Sequence, residues 1–364
     1  MPWHNHCDPL RTKRTSSNLA PTMPSQSVVK ASNASFGPAY VPVAIFVGGT
    51  SGVGQGMVEA FARYVQGRAH IIIVGRNEHA AASILARLPK PASESTSAEA
   101  EGWKHEFVPC DVSLMANVRA ACAEIRAKCT HVNFLVLTAG YNSWYPAVTS
   151  EGLDLHLALR YYQRFVFIQE LLPLLQAAQA LFQDAKVMSV LGAGRGSPKR
   201  PIDLDNLGNT IKPRNSRFSV ALRSLIMASG YTDAMLAYFA TRNPKIAFTH
   251  IHPGIVRTDA LRSASSFGGL LTPLSWIFSF ILPFFAVSQD ESAEHMLYGL
   301  FSGERGLFIR DRYGNVVSQL VFDNTVELGD SLETSVLNGV PMLGYGASDL
   351  GVRRIMEHSV TVTR

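Results

Sequence analysis

Five glycines lie within nine residues, at Gly48, Gly49, Gly52, Gly54 and Gly56. The apolar run Val43 to Val47 leads into them, and a helical pattern carried by Val58, Phe61 and Ala62 follows at once. A strand that turns through glycine into a helix lets backbone N–H groups close on an anion, and the helix N-terminus adds partial positive charge. Gly48 permits the tight turn, Gly52 the close approach, and Gly54 the packing of helix against strand. With Thr50, Ser51 and Val53 between them, these residues fit the pyrophosphate of a dinucleotide. The next apolar run, His70 to Val74, ends in Gly75-Arg76-Asn77. At this place in a dinucleotide fold the chain meets the adenosine ribose, where a guanidinium attracts a 2′-phosphate and a carboxylate repels it. Arg76 and Asn77 therefore favour NADP(H) over NAD(H).

These groups need a scaffold of parallel strands whose C-terminal ends share one edge. The three isoleucines and valine of the second run suit a strand covered on both faces. A third strand, Glu106 to Pro109, leads to Asp111 and Val112, with the carboxylate placed to accept a hydrogen bond from an adenine amino group. A fourth, Val132 to Leu137, ends in Thr138-Ala139-Gly140, small residues beneath which no bulky side chain obstructs a cofactor. Helical patterns separate them, with Pro173 expected to break or kink the long one from Glu151 to Gln176. A fifth strand, Ala185 to Leu191, a helix ending near Tyr238 or Ala240, and a strand Ile246 to Ile251 before His252-Pro253-Gly254 complete the alternation. It predicts one α/β domain, a doubly wound parallel sheet of Rossmann-like type over residues 41–322, with its site at the strand C-terminal ends. Residues 1–40, rich in Ser, Pro, Asn and Thr, are expected to be a disordered tail. Residues 323–364 read as a C-terminal extension with one last helix, Leu350 to His358.

The order and spacing of these pieces resemble the short-chain dehydrogenase/reductase family over about Val43 to Val317. The family's TGxxxGxG is matched by Val47-Gly48-Gly49-Thr50-Ser51-Gly52-Val53-Gly54, with valine at the leading threonine. Leu137-Thr138-Ala139-Gly140 stands where the family has NNAG. Pro253-Gly254-Ile255-Val256-Arg257-Thr258 resembles its PGxVxT, which implies that Pro253, Gly254, Val256 and Thr258 touch the nicotinamide end. The pieces Phe46-Val47-Gly48-Gly49-Thr50, Ala158-Leu159-Arg160-Tyr161-Tyr162 and Ser189-Val190-Leu191-Gly192-Ala193-Gly194 look most like fungal reductase-like members, which implies a setting in secondary metabolism.

The same resemblance exposes a gap. The family's chemistry uses a tyrosine acid/base, a lysine four residues later, a serine and an asparagine. Here the asparagine position falls on Arg160, the serine position on Leu191 or Gly192, and the tyrosine and lysine positions near Leu225 and Ser229. No YxxxK occurs, and its nearest relative, Tyr238 with Arg242, comes about three helical turns late. Three functions follow. The first is an oxidoreductase with relocated groups, drawn from Tyr161, Tyr162, Arg160 and Tyr231, with Asp233, Ser189 or Arg195 in support. The second is a redox-silent cyclase, isomerase or dehydratase, and the third a cofactor-binding sensor or scaffold. Against these stand plain structural roles: Tyr161 and Tyr162 as packing, Arg160 and Arg164 as a solvated pair one turn apart.

From Leu270 to Val287 the chain reads LLTPLSWIFSFILPFFAV, without a charge. In the resembled fold this is the flap over the substrate, spanning about 260–290. An apolar flap implies a hydrophobic small-molecule substrate, a homo-oligomer interface, or contact with a membrane surface; Pro273 and Pro283 argue against a full span. The chain has 364 residues, a net charge of +5 and four cysteines without metal-ligand spacing. Its basic residues lack aromatic interleaving, which argues against nucleic acid as a partner. His250 and His252 have no third ligand at sensible spacing, so no metal is expected. The cysteines and the lack of an apolar leader fit a reducing, cytoplasmic setting, peripheral to a membrane if the flap touches one.

Overall fold

Val43–Val47 is buried at all five positions, as a central parallel strand must be when helices cover both faces. A computed structural model describes residues 23–91, 102–140, 147–193, 204–208, 217–257, 286–302, 305–320 and 349–364. The strands are β1 (Val43–Val47), β2 (His70–Gly75), β3 (Lys104–Pro109), β4 (Phe134–Leu137), β5 (Lys186–Val190), β6 (Ala247–Ile251), β7 (Gly306–Arg310) and β8 (Val316–Leu320). They form one sheet in the order β3-β2-β1-β4-β5-β6-β7-β8. All pairs are parallel except β7 with β8. The chain reverses its direction of growth between β1 and β4, and ligands of such sheets bind in the crevice this creates.

The helices are α1 (Gln26–Ala34), α2 (Gly52–Tyr64), α3 (Glu78–Arg87), α4 (Met115–Lys128), the single turn α5 (Leu155–Leu157), α6 (Gln163–Ala180), α7 (Arg217–Arg242), α8 (Gln289–Ser302) and α9 (Asp349–Val362). A π-helical segment, Ala158–Tyr162, joins α5 to α6. Strand alternation divides the core in two. Ile45 and Val47 face a cluster with residues of α4, α6, α7 and α9, while Ala44 and Phe46 face one with residues of α2, α3 and α8.

Four expectations need correction. Residues 26–34 are helical and docked, not part of a loose tail. Asn33 is fully buried and its Nδ2 donates to the Glu294 side chain and carbonyl at 2.9 Å each. Arg63 and Tyr64 reach the same carboxylate at 2.8 and 2.6 Å, so Glu294 ties α1, α2 and α8 together. Such long-range polar partners leave no periodicity in a short segment. Second, Pro173 does not end its helix, which runs on to Ala180. The ring lies on the exposed face, where water can serve the carbonyl that loses its donor. Third, that helical run begins at Leu155, not Glu151; Glu151 instead caps α4 from outside, accepting from Met115 N at 2.6 Å and Ala116 N at 2.9 Å. Fourth, β8 was not anticipated, because a five-residue edge strand carries a short and weak pattern. The last helix also extends four residues beyond His358.

Candidate active site

Gly48 has φ +88°, and a Cβ there would lie 2.5 Å from Ala139 N and 2.8 Å from Thr138 Oγ1. Gly52 is also left-handed, at φ +56°. At Gly54 a Cβ would overlap the Gly48 carbonyl oxygen and Thr138 Oγ1. Thr138 is held there by its own bonds, with both N and Oγ1 donating to Val47 O at 2.9 Å. The glycine turn is thus pressed against the end of β4 with no room for side chains. Ser51, the N-cap of α2, makes no side-chain capping bond, so the first N–H groups of the helix are left to an outside acceptor. This cradle fits a pyrophosphate by shape and by donor set. Thr50 packs on Gly75, which brings the end of β2 to the same edge.

Beside it an open cleft of about 480 Å³ is lined by Arg76, Cys110, Asp111, Asn117 and Glu124. The structure thus places Arg76 and Asp111 together. Asp111 Oδ1 accepts from Ser113 N and Oγ at 3.0 and 2.8 Å, and Val112 is buried below it. Asn77 caps α3 by accepting from Ala80 N at 3.0 Å. At the far end Gly254 has φ +77° and its N–H donates to His252 Nδ1 at 2.8 Å. Val256 bridges Val287 in parallel fashion. Thr258, Arg195 and most of the apolar stretch before Val287 lie outside the described residues, and no described helix is long and apolar enough to cross a membrane.

The profile of the short chain dehydrogenases matches residues 42–179. The oxidoreductase andH of Emericella variicolor is 35% identical over 277 residues, covering 76% of this chain and 74% of its own. Oxidoreductase AN1596 of Emericella nidulans is 36% identical over 285 residues, covering 77% and 78%. The chain belongs to the short-chain dehydrogenase/reductase family. Among solved structures, the NADP complex of Pseudomonas aeruginosa RhlG superposes with a TM-score of 0.51 at 20% identity, over 76% of this chain and 98% of that one. At such identity the likeness is one of fold.

Family membership sharpens what stands at the reacting end. Leu225 and Ser229, near which the family's tyrosine and lysine were expected, lie on α7 and carry no ionisable group. One residue before Leu225, Ser224 donates to Asp154 Oδ2 at 3.2 Å; both are buried, and burial pushes the Asp154 carboxyl up. Arg160, expected at the family's asparagine position, sits within the π-helical segment, a distortion that often marks functional sites. Burial pushes its guanidinium down to about 10.

Three of the tyrosines named above meet in one place. The rings of Tyr161 and Tyr231 lie 5.1 Å apart, and those of Tyr161 and Tyr162 lie 5.2 Å apart, all edge to face and all buried. Both Tyr161 and Tyr162 turn their hydroxyls to α9. Ser359 Oγ donates to Ile355 O at 2.7 Å, so the 2.8 Å contact between Tyr161 OH and Ser359 Oγ takes its proton from the tyrosine. Tyr162 OH lies 2.8 Å from Nε2 of the half-buried His358. Burial raises both phenols well above their ordinary range, so both stay protonated at neutral pH.

Arg164 overturns its expected place in a solvated pair. It is fully buried on the first turn of α6 and bonded to Ser189 Oγ at 3.0 Å. Ser189 stands in register with His250 on β6, and His250 Nδ1 lies 2.5 Å from Asp233 Oδ1. Asp233 and His250 are both buried, at 1% and 0% exposure. A signal for Arg164 was present: Tyr161, Tyr162, Phe165, Val166, Phe167 and Ile168 surround it, and a helix apolar on every side is a buried one.

Proposed function

We propose that the chain is an NADP(H)-dependent oxidoreductase acting on a hydrophobic carbonyl or alcohol. The cofactor preference rests on one observation: Arg76 lines the cleft at the end of β2 together with Asp111 and beside the glycine cradle. When bound, a nicotinamide supplies the hydride chemistry, and the protein needs to orient it, exclude water and hold a proton. Gly48, Thr50, Ser51, Gly52, Val53 and Gly54 hold the phosphates in this reading, with Ala139 and Gly140 beneath the ring end. Pro253, Gly254, Val256 and Thr258 bound that end, and the apolar residues 270–287 favour an apolar substrate of terpenoid, polyketide or lipid type. The fungal relatives are consistent with a secondary-metabolic setting. Titration of the purified protein with NADPH and NADH tests the cofactor. NADPH is expected to bind at least tenfold more tightly, and Arg76→Asp to remove that difference chiefly by weakening NADPH. Equal weakening of both cofactors would overturn the role of Arg76.

Among Arg160, Tyr161, Tyr162 and Tyr231 we place proton donation on Tyr162, with Arg160 beside the developing oxyanion. Tyr162 is joined to an imidazole that reaches partly exposed ground and can return a proton from solvent, whereas Tyr161 gives its proton to Ser359. In a panel of apolar ketones and aldehydes followed by NADPH consumption, Tyr162→Phe is expected to lower kcat about a hundredfold with NADPH affinity unchanged. Full activity would move the donor elsewhere. A second reading, a family member that binds cofactor without redox catalysis, is favoured by the lack of an ionisable group at Leu225 and Ser229. Tight NADPH binding with no turnover across the panel would select it.

A further inference from the structure

Arg164 presents five N–H groups to five oxygens. Nε donates to Ser189 Oγ at 3.0 Å, Nη1 to Leu159 O at 3.0 Å and Arg160 O at 2.8 Å, and Nη2 to Ala139 O at 2.8 Å and Val190 O at 3.3 Å. A guanidinium has five donors and no acceptor, so every donor is satisfied. Each of those acceptors is a neutral oxygen. The group is fully buried, and burial, with the charge of Arg160 adding to it, brings its pKa down to about 9. It therefore remains a cation at neutral pH, held by dipoles with no carboxylate among these five partners. A buried carboxylate on the same face of the sheet, Asp233 of α7, is bonded instead to His250.

A buried charge with no ionic partner among the described residues is expensive to keep. This one sits where its field bears on the site. Ala139 and Val190 end β4 and β5, and the Thr138–Ala139 backbone is the wall against which Gly48 packs. Ser229 leaves the family's lysine position neutral, so positive charge enters from α6 instead of α7. In a medium of low effective dielectric, a unit charge acts over several ångströms with little screening. A reduced nicotinamide ring is neutral and an oxidised one carries +1.

We propose that Arg164 is a positioning residue whose fixed positive charge, set beneath the ends of β4 and β5, makes the site bind reduced nicotinamide cofactor in preference to oxidised. The inference rests on the cofactor reading above and extends it to the direction in which the site is poised. A cation at this place disfavours the oxidised ring in its binding equilibrium, so the protein holds NADPH ready for reduction and releases NADP+. Its bonds also join the π-helical segment to both strand ends, but that tie alone would affect the two forms equally.

NADPH and NADP+ are titrated separately into the full chain and into its Arg164→Lys and Arg164→Gln variants, by nicotinamide fluorescence and by calorimetry, with thermal melts in parallel. The parent is expected to bind NADPH about tenfold more tightly than NADP+. Arg164→Lys, which keeps the charge with fewer donors, is expected to keep that ratio even if both affinities fall. Arg164→Gln is expected to bring the ratio to within threefold. A parent ratio near one overturns the proposal, as does an Arg164→Gln variant that weakens both forms equally. If Arg164→Gln does not fold, the parent and Arg164→Lys ratios decide it: both near tenfold supports the fixed charge, and a lysine variant with a ratio near one refutes it. Failure of the parent to bind either form removes the cofactor reading itself, an outcome distinct from a parent that binds both alike.

Discussion

Gly54→Ala is expected to abolish NADPH binding, weakening it more than a hundredfold, and to lower the melting temperature by roughly 5–10 °C. The added methyl would overlap the Gly48 carbonyl oxygen and Thr138 Oγ1 and come within 2.9 Å of Gly48 C. Neither neighbour can withdraw. Gly48 N is held to Val74 O at 2.8 Å, and Thr138 Oγ1 to Val47 O at 2.9 Å. Relief requires α2 to shift away from the ends of β1 and β4, which carries the helix N-terminus out of the cradle. Overpacking of this kind costs about 1–3 kcal/mol and occasionally more. Two comparisons separate space from backbone strain. Gly152 is left-handed at φ +81° but a Cβ there meets nothing within 4 Å, so Gly152→Ala should cost about 1 kcal/mol and leave NADPH affinity alone. At Gly56 the nearest atoms, Ala293 Cβ and Gln289 Cγ, are side chains of α8 at 3.0 Å, which gives a stability loss without a loss of binding. Fluorescence titration and melting curves distinguish the three. A Gly54→Ala variant binding NADPH within threefold of the parent would refute the glycine turn as the phosphate cradle.

The placement of the glycine turn, Arg76 and Asp111 along one edge was legible because it is a matter of chain order. A strand end, a turn and a helix start are adjacent in sequence, and a parallel sheet places successive strand ends on one edge without further information. The reacting end depends on residues that no local pattern joins. Arg164 finds Ser189, Ala139 and Val190 only after α6 crosses behind the ends of β4 and β5. Asp154 and Ser224 are 70 residues apart, and Asp233 meets His250 through the packing of α7 on β6. Their burial, unlike their partners, was open to inference from the apolar residues around each. The absence of an ionisable group at Leu225 and Ser229 was legible, whereas the partners of the arginine on α6 were not, since they come from the ends of β4 and β5.

Ile355→Asp is expected to destabilise the protein by about 4 kcal/mol or more and to lower its melting temperature by roughly 10 °C. The last helix, α9, directs Val352, Ile355, Met356 and Ser359 inward at i, i+3, i+4 and i+7, each at most 5% exposed. Val352, Ile355 and Met356 join the same core cluster as α4, α6 and α7, far away in sequence. Arg119 fixes the helix end, its Nε donating to Thr363 O at 3.1 Å and its Nη2 to the same oxygen. A carboxylate at position 355 loses the isoleucine's burial, worth about 2–3 kcal/mol, and must either stay unpaired in an apolar site or push the helix off. With the helix displaced, Tyr161 loses Ser359 and Tyr162 loses His358, leaving two buried hydroxyls to find water. Arg354→Asp on the exposed side of the same helix should change stability by less than about 0.5 kcal/mol. Urea unfolding followed by tyrosine fluorescence reads both variants. Below its melting point Ile355→Asp should bind NADPH as the parent does, because α9 touches the helical layer and not the glycine turn. A melting temperature within 2 °C of the parent would mean that α9 is dispensable to the fold, and the environment of both tyrosines would then have to be set by α6 and α7 alone.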